Sequence, residues 1–295
     1  MSSVEKAARV LKSLKAEEWR ALAGMERASA GYGASDAGRL SRMSHLPVER
    51  VRFALDMLMK RQLVTRRGTA YSLSREGVEA MALKEYADKD LIFALGAIIA
   101  KGKESDVYEV LTEEGTALAL KFYKIGRTSF TRVRKRRAGE KAEIRTWITA
   151  NFEAARREYT ALRALEGLSS VFPRAVAYSK STVLLEELSG VRLSNRPYLE
   201  DPAAIERQVF DSIGVAYVRA GLVNADLSEY NILTDGRRLW LIDWPQTVKS
   251  SHPNSKDLLA HDVAAVSAFF KRAYGIVSEP AQVLREILDS RPRAQ

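Results

Sequence analysis

Three polar residues in the stretch Val223–Pro245 have the types and spacing needed to move a phosphoryl group. Asp226 and Asn231 stand in an Asp-x-x-x-x-Asn arrangement. In a phosphotransferase catalytic loop such an Asp orients or deprotonates the attacking oxygen, and the Asn ligates a cation. Asn231-Ile232-Leu233 begins a strand, Thr234-Asp235-Gly236-Arg237 turns the chain, and Leu239–Ile242 returns it to Asp243. A two-strand hairpin of this kind brings Asn231 and Asp243 to the same end. Two oxygen ligands there suit a hard cation such as Mg²⁺, which takes its remaining ligands from water and phosphate. The pattern therefore names Asp226 and Asp243 as catalytic and Asn231 and Asp243 as metal-ligating.

Other elements must deliver a nucleotide to these groups. Leu91–Ala100, residues 107–111 and Leu118–Phe122 read as successive strands, with a polar loop around Gly102 between the first two. In a kinase amino-terminal lobe such a loop covers the phosphates, and a Lys on the third strand holds them. Lys121, the one Lys inside the apolar run ALALKFY, fits that role, because burying it without an anionic partner is costly. Glu158 lies on a helix with Ala155, Tyr159, Leu162 and Leu165 inward and is its expected ion-pair partner. Val183–Leu188 reads as a strand leading into a linker between lobes. Ala203–Arg219 forms a helix beneath the catalytic loop, and Asp262 on the helix Leu258–Tyr274 either anchors that loop's backbone or caps its own helix. Only 52 residues follow Asp243, and no Ala-Pro-Glu motif is among them, so an ordinary peptide-binding groove is not expected.

The first 83 residues read as a separate winged-helix domain. Val4, Ala8, Leu11 and Leu14 give a first helix. A second, Glu17–Met25, is expected to end at Gly24 and the polar stretch Ser29–Gly38. Val48–Arg61 is an amphipathic third with Val51, Leu55, Leu58 and Met59 inward. A hairpin turning at Arg66–Thr69 follows, then a helix from Ser74. Residues 84–90 read as a linker, 91–187 as an amino-terminal kinase lobe and 188–295 as a carboxy-terminal lobe, so the class is α+β: a winged helix, then a truncated bilobal kinase-like domain. Arg50, Arg52, Lys60 and Arg61 lie on the polar side of the third helix, and Arg66 and Arg67 on the wing, a distribution that suits a phosphate backbone.

The chain of 295 residues carries a net charge of +10, which points to a polyanionic partner such as RNA. The segment 126–145 holds eight Lys and Arg against two Glu and reads as a mobile basic loop for RNA contact, with Thr128, Ser129 and Thr131 as phosphoacceptors. The absence of Cys excludes disulfides, thiolate metal sites and a Cys nucleophile. The longest apolar run is too short to span a bilayer, and the N-terminus lacks a signal-peptide core, so a soluble, cytoplasmic monomer without membrane contact is expected.

The chain resembles the RIO-type atypical protein kinases, in the subfamily with an amino-terminal winged helix. The residues that carry the likeness are Gly102-Lys103-Glu104-Ser105-Asp106-Val107-Tyr108, Gly126-Arg127-Thr128-Ser129-Phe130, Asp226 to Asn231-Ile232-Leu233, and Ile242-Asp243-Trp244-Pro245-Gln246. The resemblance implies ATP- and Mg²⁺-dependent (alternatively Mn²⁺-dependent) serine kinase and ATPase activity in small-ribosomal-subunit maturation, with a pre-ribosomal particle or ribosomal RNA as partner. It implies phosphate contacts from Gly102, Lys103, Ser105 and Lys121, and backbone contacts from Glu186 and Leu188 to adenine. It also implies transient phosphorylation of Asp243, and Ser129 is an autophosphorylation site on this reading. Ala100 and Asn224-Ala225 depart from the pattern, which usually has Gly and His-Gly there, so the bracing of the catalytic loop should differ. Two rival readings remain at this point: a small-molecule kinase of the aminoglycoside-phosphotransferase type, and a nucleic-acid-binding protein whose kinase-like half only senses ATP.

Overall fold

The computed structural model describes residues 2–124 and 147–290, the side chains of 29–32 excepted. The chain divides into two compact units, one of residues 1–155 with 178–184, the other of 156–177 with 185–295. Among the described residues no helix is long and apolar enough to cross a membrane. The basic segment 126–145, with Ser129, lies outside the described residues.

The first unit opens with α1 (Ser3–Val10), α2 (Ala16–Tyr32), α3 (Ala37–Ser44) and α4 (Val48–Lys60). Helix α2 does not end at Gly24 as the sequence suggested. It runs on to Tyr32 and stops at Gly33, whose φ of +70° takes it out of the helical region. Gly24 serves packing instead: a Cβ there would lie 3.0 Å from the Cβ of Ser44, so the missing side chain lets α3 approach. In α4, Val51, Ala54, Leu55 and Leu58 are buried at helical spacing.

The wing is the antiparallel pair β1 (Val64–Arg67) and β2 (Ala70–Leu73), turned at Gly68 with φ +60°. Helix α5 (Arg75–Asp88) begins where Ser74 Oγ accepts from the Gly77 N–H at 3.0 Å. It continues through most of the stretch read as a linker, supported by the i,i+4 pairs Lys84–Asp88 and Lys89–Glu85. The basic face of α4 is thinner than its sequence implied, because Arg50 pairs with Glu17 at 2.6 Å and Arg61 pairs with the buried Glu18. Arg52 and Lys60 remain on the exposed side.

Strands β3 (Ala94–Lys101), β4 (Ser105–Leu111), β5 (Ala117–Tyr123), β6 (Ala175–Ser179) and β7 (Thr182–Glu186) form one sheet in the order β3-β4-β5-β7-β6. Strand β5 is therefore internal, and Lys121 on it is 6% exposed.

The second unit contains the end of α6 (Trp147–Leu165), β8 (Val191–Arg192), α7 (Pro202–Arg219), β9 (Leu222–Val223), β10 (Ile232–Thr234), β11 (Leu239–Leu241), β12 (Val248–Lys249), α8 (Ser255–Tyr274) and α9 (Pro280–Asp289). Its core draws Val209, Ile213 and Tyr217 from α7 and Leu259, Val263, Val266 and Phe270 from α8. Trp244, 1% exposed, joins that core edge-on to Phe172 at 5.6 Å. Removing the 150–250 Å² that such a ring carries from water stabilises the unit by roughly 4–6 kcal/mol. The same burial fixes the residue next to Asp243.

Candidate active site

Two short ladders hold the Asp226–Asp243 region. At one end β9 pairs with β12, with Val223 opposite Val248. At the other, β10 pairs with β11, with Ile232 opposite Leu241. The loop that carries Asp226 and the segment that carries Asp243 thus start and finish side by side. The Ile242 N–H donates to the Asn231 carbonyl at 2.9 Å, so the hairpin places Asn231 beside the residue that precedes Asp243.

Asn231 ends a 3₁₀ turn, Glu229–Asn231, and its Nδ2 donates to the Asp226 carbonyl at 2.9 Å. That bond uses the amide of Asn231 as a donor. Asp226, Asn231 and Asp243 therefore converge at the hairpin's open end, within the second unit. Ala225 and Asp243 both adopt φ +67°. For a residue with a Cβ this left-handed conformation costs energy, and it persists where the surroundings over-determine it.

Those surroundings are a set of hydrogen bonds, and Asp262 supplies two of them. It is 1% exposed on α8, and its Oδ2 accepts from the Ala225 N–H at 2.8 Å while Oδ1 accepts from the Leu227 N–H at 3.1 Å. Its role as a loop anchor, rather than a helix cap, follows. Burial pushes its carboxyl up to about 7, against the two N–H donors that favour ionisation, and the Asp226 charge adds to the rise. Glu158, 1% exposed, accepts from the Trp244 N–H at 3.3 Å. Trp244 Nε1 in turn donates to the Leu241 carbonyl at 2.8 Å.

Asn224 adds a brace that its type alone had not suggested. It is 5% exposed, its Nδ2 donates to the Asp243 carbonyl at 3.2 Å, and its Oδ1 accepts from the Asp226 N–H at 3.2 Å. The signal was present as a short polar residue in an otherwise apolar approach to Asp226, but the position of its second partner depends on the β9–β12 pairing.

In the first unit, Gly102 and Ser105 close the loop between β3 and β4. The Gly102 N–H donates to the Ser105 carbonyl at 2.8 Å, and a Cβ on Gly102 would approach that oxygen to 3.0 Å. Lys103 stands at the exposed tip. Lys121 Nζ lies 5.0 Å from the Tyr123 ring centre. Asp106, to which the sequence reading gave no role, accepts from Lys124 at 2.7 Å and lies 3.5 Å from Arg75. In the second unit, the Glu186 N–H donates to the Arg174 carbonyl at 3.0 Å, and Leu188 follows in the connecting segment.

Comparison with known proteins accords with this geometry. A model of the RIO domain matches residues 106–283, and a model of the Rio2 N-terminal domain matches residues 11–89. The RIO-type serine/threonine-protein kinase Rio2 of Methanocaldococcus jannaschii is 32% identical over 82% of this chain and 91% of its own length. The serine/threonine-protein kinase RIO2 of Caenorhabditis elegans is 29% identical over 92% of this chain, which spans 52% of the nematode protein. Among solved structures, the Rio2 kinase of Chaetomium thermophilum, determined as an ADP/Mg²⁺-phosphoaspartate complex, superposes with a TM-score of 0.82 at 24% identity. That alignment covers 97% of this chain and 89% of the fungal one. A winged helix, a sheet with a buried Lys, a braced pair of acids and two matching family models lead to one conclusion: this chain belongs to the RIO family of serine/threonine-protein kinases, with a Rio2-type N-terminal domain.

Proposed function

We propose that this chain hydrolyses and transfers the γ-phosphoryl group of ATP in a Mg²⁺-dependent manner, through transient phosphorylation of Asp243, during maturation of the small ribosomal subunit. The observation that carries the reading is the pair of bonds from Asn231 Nδ2 to the Asp226 carbonyl and from the Ile242 N–H to the Asn231 carbonyl. Together they gather two carboxylates and an amide oxygen at one end of a hairpin.

The residues present fit a Mg²⁺ ion. Asn231 has its amide donor engaged and its oxygen available, and Asp243 supplies a second hard oxygen. Bound there, the ion would neutralise charge on the phosphate oxygens. Gly102, Lys103 and Ser105 would cover the phosphates, and Lys121 would hold them. Adenine would meet the Glu186 carbonyl and the Leu188 backbone. A carboxylate oxygen of Asp243 would attack the γ-phosphorus as the bond to the β-phosphate oxygen breaks, releasing ADP. Asp226 would then take the proton from a water, or a serine hydroxyl, that attacks the phosphorus and frees the Asp243 carboxylate.

Ribosomal RNA or a pre-ribosomal particle would be met by Arg52, Lys60 and the wing residues Arg66 and Arg67, together with the basic segment 126–145. Arg66 is already shaped by the wing: its Nε donates to the Gly68 carbonyl at 2.7 Å and its guanidinium lies 5.4 Å from the Tyr71 ring centre.

Radiolabelled ATP tests the reading. Asp226→Ala is expected to cut turnover by about 10³-fold while retaining a hydroxylamine-labile phosphate on the protein. Asp243→Asn is expected to lose both turnover and label. Undiminished hydrolysis in both variants refutes the site.

A further inference from the structure

We propose that Phe53 is a stacking platform for an unpaired RNA base, so that the winged helix takes unpaired RNA in preference to duplex. The proposal rests on the RNA-binding reading of this domain and names the form of RNA that its surface accepts.

Helix α4 has two faces. Val51, Ala54, Leu55 and Leu58 fill the core, while Glu49, Arg52, Phe53, Asp56 and Lys60 share the exposed side. Phe53 is 60% exposed, and among the described side chains of residues 2–90 it is the one exposed large apolar group. Its place on the helix sets it between charges. Arg52 is its neighbour, Asp56 lies one turn on, and Lys60 follows two turns on, roughly 10 Å along the axis. The helix's other two cations, Arg50 and Arg61, are already engaged by Glu17 and Glu18.

That surface is a poor match for a duplex. A helix of this kind reads DNA by lying in the major groove, but the major groove of an A-form RNA duplex is too deep and narrow to be read in that way. A groove would also bring Glu49 and Asp56 towards phosphates and leave the Phe53 ring facing polar base edges. An unpaired base meets neither obstacle. Its π-face covers the ring, and its own backbone runs to either side, where Arg52 and Lys60 stand. The wing adds positive charge and no acid: Arg66 and Arg67 are exposed, and the Arg66 guanidinium lies 5.4 Å from the Tyr71 ring centre. Over helix face and wing, Arg52, Lys60, Arg66 and Arg67 stand against Glu49 and Asp56, a balance that favours a polyanion over a protein surface as the occupant.

The test is fluorescence anisotropy of the full chain with two RNA probes: a hairpin with an unpaired adenosine loop, and a fully paired duplex of the same stem. Wild type is expected to bind the hairpin at least about tenfold more tightly, an order that phosphate density alone does not produce. Phe53→Ala is expected to weaken hairpin binding by about 10–100-fold and duplex binding by less than about twofold. The slope of log affinity against log salt should not change, because no phosphate contact is lost. Phe53→Tyr keeps a ring and should stay within about threefold of wild type. Thermal melting follows the fold of each variant; Phe53 is exposed, so both should melt with wild type. Arg66→Glu with Arg67→Glu is the contrast, expected to weaken both probes and lower the salt slope. Equal wild-type affinity for the two probes overturns the platform and leaves the RNA reading standing. So does a Phe53→Ala variant that keeps its hairpin affinity while the wing variant loses it, and Phe53 then belongs to a protein contact. A loss in Phe53→Tyr as large as that in Phe53→Ala also overturns it. Wild type that binds neither probe refutes the RNA reading and the platform together.

Discussion

Replacing Asp262 by Asn should raise the stability of the protein at alkaline pH and slow its turnover. The carboxyl is 1% exposed and is pushed up to about 7, with burial as the largest cause. In the unfolded chain it returns to about 3.9. The folded state therefore holds one more proton than the unfolded state between those two values. Where the native state binds more protons, stability falls as pH rises. The contribution is complete below about pH 4 and is lost as pH climbs to about 7, at about 1.4 kcal/mol per pH unit. Between pH 5 and 7 the wild type should thus lose about 2 kcal/mol that Asp262→Asn, which does not titrate, keeps. Asn is also the isostere of the protonated acid, so the two proteins should be close in stability near pH 5. His261, with its side chain 70% exposed, places Nδ1 3.9 Å from Asp262 Oδ1. Repeating the pair in a His261→Gln background removes that contact. The assay is urea unfolding at pH 5, 6, 7 and 8. The turnover loss has a separate cause: an amide can accept from only one of the Ala225 and Leu227 N–H groups, which frees half of the loop anchor. A stability difference that stays flat with pH, or that grows in favour of the wild type, would mean that the two N–H donors outweigh burial and that the carboxylate is ionised throughout.

Other outcomes follow from single contacts. Ala225→Gly should stabilise by about 1 kcal/mol, seen as a melting rise of about 2–4 °C, because Gly adopts φ +67° without the Cβ cost. Gly77→Ala should destabilise by about 3 kcal/mol in urea unfolding, since its Cβ would lie 2.2 Å from the Leu63 carbonyl oxygen. Arg66→Glu with Arg67→Glu should weaken RNA binding and flatten its salt dependence, read by fluorescence anisotropy across a salt titration, with ATP hydrolysis unchanged.

Much of this was legible because the informative groups are local in sequence. A hairpin needs only a turn and two short apolar runs, so Asn231 and Asp243 could be brought together before any tertiary contact was known. The internal position of Lys121 was legible from its apolar neighbours. Gly24 misled because a glycine reads alike whether it breaks a helix or lets another helix come close, and Ser44, which decides the matter, is remote in sequence. Arg50 and Arg61 read as free cations because Glu17 and Glu18 face them from another helix. Asn224 read as a missing imidazole, and its two bonds became visible only once β9 and β12 were paired. Helix α9 and strands β8, β9 and β12 escaped notice because strands of two residues carry no periodicity and α9 lies beyond the motifs.

Helix α5 has a consequence for anyone who wishes to cut this protein into parts. Its Tyr86 hydroxyl is 2.9 Å from Thr182 Oγ1, its Glu85 accepts from Ser179 and Lys180, its Arg75 reaches Asp106, and its Glu79 accepts from Ser3. The winged helix and the strands that follow thus share a beam, with no seam between them. A truncation starting at residue 91 would strip polar partners from β4 and from the β6–β7 hairpin together. Such a fragment is a poor stand-in for the catalytic half, and low activity in it would report a lost support before it reported anything about chemistry.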